Sequence, residues 1–122
     1  MNSDPLNSYF DAAAHDTGAK TFSAFYNNTT IPGNTNGEQE LDALINMIFA
    51  TTETSRFICR KLYRWFVYYE IDEATETDVI TPMAAVLQSS NYDIKSALSV
   101  LFKSEHFFDT INQPVISRAR LI

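Results

Sequence analysis

The chain has 122 residues, a formal net charge of −6 and an apolar fraction of 45%, which are the properties of one globular domain at most. The acidic balance disfavours a nucleic-acid partner, because affinity for a polyanion requires a positive field. The single cysteine, Cys59, excludes an internal disulfide and a zinc site built from several cysteines. The apolar runs are far shorter than the roughly 20 residues of a membrane span, so no span is predicted.

Residues 1–36 are predicted to form an extended arm that ends in a loop. Two extended stretches, Tyr9–Ala14 and Lys20–Tyr26, flank a turn at Gly18, where glycine can adopt the positive φ that tight turns demand. The alternation is weak, and a helix beginning in the first stretch is the alternative. Residues 27–36 (NNTTIPGNTN) have the composition of a loop.

Helical periodicity begins after residue 36, and residues 37–122 are predicted to form the helical domain. Leu41, Leu44, Ile45 and Ile48 share one face of the first helix. A later helix is expected to start at Asp78 or Thr81, after an acidic connection over Asp72–Thr77, and Asp93 is expected to cap the next one. The predicted fold is therefore mainly α, with about four short helices in antiparallel or orthogonal packing after a hairpin-like arm.

One segment concentrates the basic residues of this acidic chain. The run Glu53–Tyr69 has helical periodicity, with Thr54 or Ser55 in position to cap its start. At about 100° per residue, one arc of the helix is apolar and the opposite arc is basic. The apolar arc comprises Ile58, Cys59, Leu62, Trp65, Phe66 and Tyr69. The basic arc comprises Arg56, Arg60 and Arg64, with Lys61 beside them, which are four of the nine basic residues.

The arginine stripe (Arg56, Arg60 and Arg64) has two interpretations that the sequence leaves open. As a functional feature, it binds a carboxylate, a phosphate or an acidic sugar, because guanidinium groups bind such anions in bidentate geometry. As a structural feature, it forms ion pairs with neighbouring acidic segments. The candidate partners are Glu38, Glu40 and Asp42 before the stripe and Glu70 and Glu73 after it. Phe57 and Tyr68 project on the basic side, which indicates that this side is partly covered by the arm or by another part of a parent protein.

Metal or acid–base chemistry has few candidate residues, namely His15, Asp16 and His106. A metal-dependent hydrolase needs a larger set of His and Asp ligands and groups that orient them. The favoured interpretation of His15 is therefore a loop imidazole bonded to its neighbours, and no cofactor is predicted. Cys59 is predicted to be a small buried hydrophobe rather than a reactive thiol.

Four segments carry a family resemblance in their order along the chain. They are HDTGAKTF (His15–Phe22), GEQELDALINMIF (Gly37–Phe49), SRFICRKLYRWFV (Ser55–Val67) and NYDIKSALSVLFKSEHFF (Asn91–Phe108). From about His15 to Ile122, the chain resembles a large bacterial family known as domain of unknown function 1800. The resemblance implies a mainly helical fold and a longer, often exported parent protein, of which this chain is similar to a C-terminal portion. It implies no activity and no catalytic residues.

Three functional hypotheses follow from these residues. The leading one is a non-catalytic helical interaction module of a larger bacterial protein, whose partners are the remaining domains of that protein or another chain. It predicts an exposed apolar patch around Phe57 or along Val115–Ile122. The alternatives are an anion-binding module that uses the arginine stripe, and a hydrolase or metalloenzyme fragment that uses His15 and Asp16. An exported location follows from the resemblance, with a cytoplasmic one as the alternative.

Overall fold

The structure is a computed structural model that describes residues 9–33 and 36–108. The strands are β1 (Lys20–Thr21) and β2 (Thr30–Ile31), and the helices are α1 (Gly37–Phe49), α2 (Thr52–Phe66), α3 (Glu73–Thr75), α4 (Thr81–Ser89), α5 (Ile94–Lys103) and α6 (Glu105–Phe108). A 3-10 turn at Ala24–Tyr26 and a π-helical turn at Glu76–Ile80 complete the elements of this part of the chain. The predicted fold class, mainly α with an N-terminal hairpin, is confirmed.

The chain forms two compact units, Met1–Thr51 and Thr52–Ile122. Helix α1 therefore belongs to the same unit as the hairpin, although the composition of the sequence changes near residue 36. The division into an arm over residues 1–36 and a helical domain over residues 37–122 stays a prediction.

The hairpin of the first unit is displaced along the sequence from the predicted one. Strands β1 and β2 pair antiparallel, with Lys20 opposite Ile31, so the second strand comes from the segment that was predicted to be a loop. The left-handed residues of the connection are Asn27 and Asn28, with φ of 54° and 52°, because asparagine tolerates this region better than most residues. The stretch Tyr9–Ala14 contains a turn rather than the predicted strand.

Helix α1 begins where the sequence places acidic residues. The side chain of Asn36 accepts a hydrogen bond of 3.0 Å from the backbone N–H of Gln39, which satisfies one of the unpaired donors at the helix start. Glu38 and Glu40 lie in the first turn, close to the partial positive charge of the helix N-terminus. The predicted helical face therefore exists, but Leu41 and Ile45 on it are exposed.

The second unit has one hydrophobic core, which α2, the π-helical turn, α4 and α5 build together. Its buried members are Cys59, Tyr63, Val67, Val79, Ile80, Met83, Ala84, Leu87, Ala97 and Leu101. Helix α2 contributes every fourth residue, namely Ser55, Cys59 and Tyr63, and Val67 continues this series beyond its end. This spacing keeps the contributing side chains on one side of α2.

The helical path between Glu73 and Ser89 is continuous, which corrects the predicted acidic connection over Asp72–Thr77. The cap is Asp72, whose carboxylate accepts a hydrogen bond of 2.7 Å from the N–H of Thr75, and not Asp78 or Thr81. The π-helical turn precedes Pro82, a residue without the N–H that the regular helical ladder requires. The N–H and the hydroxyl of Thr81 both donate to the carbonyl oxygen of Glu76, the latter at 2.9 Å.

The prediction for the start of α5 is confirmed. The carboxylate of Asp93 accepts hydrogen bonds of 3.2 Å from the N–H groups of both Lys95 and Ser96. The Ser96 hydroxyl also donates to this carboxylate. The hydroxyl bond is the largest cause, and the backbone bonds a further cause, of the lowered pKa of Asp93. Helix α6 adds one more helical turn after α5.

We expect Gly33→Ala to destabilise the hairpin unit by about 1–3 kcal/mol, the usual range for overpacking. A Cβ atom at Gly33 would lie 2.2 Å from the backbone oxygen of Thr17, whereas one at Gly18 would meet only a side chain, Asp16 Oδ1, at 3.1 Å. Hydrogen exchange of the Phe22 amide, which donates to Thr29 across the hairpin, measures the change. Gly18→Ala is the matched control, and equal acceleration of exchange in both variants would contradict this packing.

Candidate functional site

The centre of the arginine stripe is an ion-pair network within the second unit. The Nε and Nη2 atoms of Arg60 donate to the two carboxylate oxygens of Glu76 at 2.9 and 2.7 Å, which is the bidentate geometry that guanidinium groups favour. The Nη1 atom of Arg60 also donates to Glu53 on its own helix. The donors of Arg60 are thus engaged by carboxylates of the same chain.

The charges of this network hold its members ionised. The hydrogen bond from Arg60 is the main reason why the pKa of Glu76 lies below its ordinary value, with the charges of Arg56 and Arg64 adding to it. In return, the hydrogen bonds that Arg60 donates to Glu76 and Glu53 raise the pKa of Arg60 further above its ordinary value. The predicted partners Glu38, Glu40 and Asp42 belong to the other unit, and their pairing with the stripe stays a prediction. The predicted partners in the same unit were Glu70 and Glu73, and Arg60 binds neither of them in the part of the chain that the structure describes. The reason is that helix α3 and the π-helical turn carry Glu76 to α2, which the sequence did not reveal.

Arg56 and Arg64 lie at different places on the helix. Arg56 lines a groove of about 130 Å³ together with Thr52, Ser55, Thr81, Ala84, Ala85 and Gln88. Arg64 is exposed, and its Nε atom donates to the backbone oxygen of Tyr69 at 3.3 Å. The charges of Arg56, Arg60 and Arg64 all act on the carboxylate of Glu76. Among the described residues that line the groove, Arg56 is the one basic residue.

The apolar arc of α2 is rotated from the predicted one by roughly a quarter-turn at about 100° per residue. Trp65 and Tyr69, which were predicted to lie on that arc, are 73% and 57% exposed, whereas Tyr63 is 1% exposed. Phe57 is 54% exposed, with the Nζ atom of Lys61 at 5.3 Å from the centroid of its ring. The basic side is therefore open at Phe57. The predicted patch along Val115–Ile122 lies outside the described residues.

Cys59 is the buried hydrophobe that the sequence predicted. Its side chain is fully buried in the core. Burial, with a smaller contribution from the charge of Glu76, raises its pKa to about 11, because both disfavour the thiolate. A neutral, inaccessible thiol is unreactive at neutral pH.

A second polar cluster joins α2 to the end of the described chain. The hydroxyl of Tyr63 and the Nε2 atom of His106 share a hydrogen bond of 2.7 Å, which gives the buried phenol its partner. Burial raises the pKa of Tyr63, and the nearby charge of Asp72 adds to this effect. His106 thus has a structural role in this unit, a role that the sequence did not reveal because the two residues are 43 positions apart.

His15 and Asp16 border one polar cluster in the first unit, which Lys20 joins. The Nε2 atom of His15 lies 3.1 Å from Oε1 of Glu40, and Nζ of Lys20 lies 2.9 Å from Oε2 of the same carboxylate. Glu40 is buried, and the ammonium group of Lys20 compensates its charge while His15 provides a further polar partner. Asp16 accepts a hydrogen bond of 2.8 Å from the N–H of Gly18, and its Oδ2 atom lies 4.0 Å from Nζ of Lys20.

Within residues 9–33 and 36–108, no group of three or more His, Cys, Asp and Glu residues is placed to hold a metal ion. The metal candidates His15, Asp16 and His106 therefore stay a sequence prediction. Of the helices in the same ranges, none combines the length and apolar character needed to cross a membrane.

Comparison with known proteins adds one match. The family model described as "Protein of unknown function (DUF1800)" matches residues 2–120. No curated protein and no solved structure matches the chain.

We expect Glu76→Gln to lower the free energy of unfolding by about 1 kcal/mol at neutral pH, the scale of a partly exposed ion pair. The pKa of Glu76 is lowered on folding, so its contribution is complete above the ordinary glutamate value of about 4.3 and is lost as the pH falls through the folded-state value. The difference from the wild type should therefore shrink towards acidic pH. Urea denaturation at a series of pH values measures it.

The matched control for that series is Glu70→Gln, which removes the same charge from an exposed residue of the same unit. It should leave the free energy of unfolding almost unchanged at every pH. An equal effect of the two substitutions would show that net charge, rather than the bond to Arg60, is responsible.

Proposed function

Because the chain belongs to the DUF1800 family, whose members are described as proteins of unknown function, we propose its function from its own geometry. It is a non-catalytic helical interaction module of a larger bacterial protein, and its partners are other domains of that protein or another polypeptide. The resemblance seen in the sequence is confirmed by the family match. The family description names no reaction, so the proposal depends on the side chains of this chain.

The observation that carries the proposal is the engagement of Arg60 by Glu76 and Glu53. An anion-binding function needs guanidinium donors that an incoming carboxylate or phosphate can reach. Here the central arginine of the stripe already has a bidentate carboxylate partner in its own fold. A ligand would have to displace Glu76 and leave that carboxylate without its charge partner, which is costly for a half-buried group.

Large aromatic side chains on the surface support an interaction role. Phe57, Trp65, Tyr69 and Phe108 are each more than half exposed, at 54%, 73%, 57% and 64%. Aromatic residues and arginine supply most of the binding energy in protein interfaces. A surface of this composition suits a polypeptide partner.

The anion-binding alternative is left with Arg56 beside a small groove. The groove of about 130 Å³ has the size of a small anion rather than of a drug-like ligand. Its lining includes the hydroxyl residues Thr52 and Thr81, but Arg60 and Arg64 do not line it in the described part of the chain. This function ranks second because a single arginine provides neither the charge nor the geometry of a convergent site.

The hydrolase alternative has a histidine with a carboxylate partner, His15 with Glu40. A general base uses such a pair when the carboxylate orients the imidazole towards a substrate. The same carboxylate also pairs with Lys20. The cluster is therefore explained by the need of the buried Glu40 for a positively charged partner. We therefore rank an enzymatic role third.

We also propose, from the family resemblance, that the parent protein is located outside the cytoplasm. A cytoplasmic location is the alternative. Exposed aromatic side chains would serve an interaction role in either compartment.

Photocrosslinking in living cells tests the interaction function in the protein as it exists. A photoreactive phenylalanine analogue is placed at Phe57, Trp65, Ser89 or Lys103 of the full-length protein, all of them exposed positions of the second unit. We expect irradiation to produce a discrete protein adduct from at least one position, because a docked polypeptide lies within reach of the probe. The adduct is identified by mass spectrometry, and the unirradiated sample is the control. Absence of adducts from all four positions would refute the proposed function.

A further inference from the structure

The outer face of α2, defined by Phe57, Lys61, Arg64 and Trp65, combines aromatic and cationic side chains. All four residues are exposed, and they lie on the side of the helix opposite Cys59 and its buried neighbours. Positions 57, 61 and 65 follow each other at i, i+4 and i+8, and position 64 lies between them, so the face extends over about 12 Å at 1.5 Å per residue. An extended peptide of about four residues spans the same distance.

The two cations on this face are more exposed than Arg60. Lys61 lies over the ring of Phe57 at 5.3 Å, and this contact places its charge against an aromatic surface. Arg64 is exposed, with its Nε atom bonded to a backbone oxygen. In a chain with a net charge of −6, Lys61 and Arg64 bring two exposed cationic groups to one surface of α2. Such a surface attracts acidic groups of a partner at short range.

We propose that the outer face of α2 docks an acidic polypeptide segment that also carries apolar side chains, a partner of the interaction module on which this inference rests. Acidic side chains would pair with Lys61 and Arg64, and apolar ones would cover Phe57 and Trp65. Tryptophan and arginine are the residues most enriched where protein interfaces gain their energy.

The composition of the face favours a polypeptide over other polyanions. The net charge of −6 repels any polyanion, and it repels an extended anionic membrane surface more strongly than a short acidic segment that contacts only this face. An acidic polysaccharide has anionic groups that pair with Lys61 and Arg64. It has no apolar side chains to cover the rings of Phe57 and Trp65. An acidic peptide supplies both kinds of group along an extended or helical backbone.

The chain contains its own reporter for the test. Trp65 is its single tryptophan and is 73% exposed, so its emission should move to shorter wavelength when a ligand covers it. The probe is a soluble random copolymer of glutamate and tyrosine, titrated into the full chain with selective excitation of tryptophan. Polygalacturonate and phosphatidylglycerol vesicles are titrated in parallel.

Variants separate docking on this face from general charge attraction. We expect the double substitution Lys61→Glu and Arg64→Glu to weaken copolymer binding at least tenfold. The matched control is Lys95→Glu with Lys103→Glu, which changes the net charge equally on exposed residues of α5. Phe57→Ser removes apolar surface without a charge change and should also weaken binding. Circular dichroism confirms that each variant is folded, as expected for exposed positions.

Each outcome of the titration and crosslinking experiments either supports the proposal or overturns it. Binding of the copolymer with a shift of Trp65 emission, lost in the α2 variants and kept in the α5 variants, supports the proposal. No emission shift, equal loss in the control, or tighter binding of the polysaccharide or the vesicles would overturn it. Crosslinks confined to Ser89 or Lys103 would also overturn it while leaving the interaction function intact. Absence of every crosslink would refute that function itself.

Discussion

The bidentate pair between Arg60 and Glu76 is the interaction on which the second unit depends. It joins α2 to the π-helical turn, 16 residues further along the chain. The side chains of Arg60 and Glu76 retain 23% and 27% of their exposure, so solvent screens the pair only in part and each charge needs the other. The same pair decides between the two interpretations of the arginine stripe, because it gives the central residue, Arg60, a structural role within the fold.

The π-helical turn and the cluster around Tyr63 complete the frame that the ion pair begins. Thr81 bonds twice to the carbonyl oxygen of Glu76, which anchors the wide turn at the residue that Arg60 holds. On the next buried position of α2, Tyr63 bonds to His106 and so connects α6 to the same helix. Arg60 and Tyr63 thus have polar partners from distant segments, which orient the helices more specifically than apolar contacts alone. In our proposal, the exposed side of α2 is the part that recognises a partner.

The sequence predicts the features that depend on neighbouring residues and misses those that depend on distant ones. Asp93 was identified as a cap because its partners are the next residues, and Cys59 was identified as buried from the periodicity of one helix. Trp65 was assigned to the buried side because the helical wheel places it beside Leu62 and Phe66, whereas the fold turns Tyr63 into the core. The phenol can be buried only with a partner such as His106, and that contact requires the tertiary fold. The pairing of Arg60 with Glu76 required it as well, and the two-residue strand β2 is too short to give a periodic signal.

A double-mutant cycle on Arg60 and Glu76 measures the central claim most directly. The free energies of unfolding of the wild type, Arg60→Ala, Glu76→Ala and the double variant together give the coupling energy of the pair, independent of what each residue contributes elsewhere. A structural pair predicts a coupling energy of about 1 kcal/mol or more, larger than that of Arg60 with the more exposed Glu53. Additive effects, with a coupling energy within about 0.3 kcal/mol of zero, would contradict the account and return the arginine stripe to the status of a binding face.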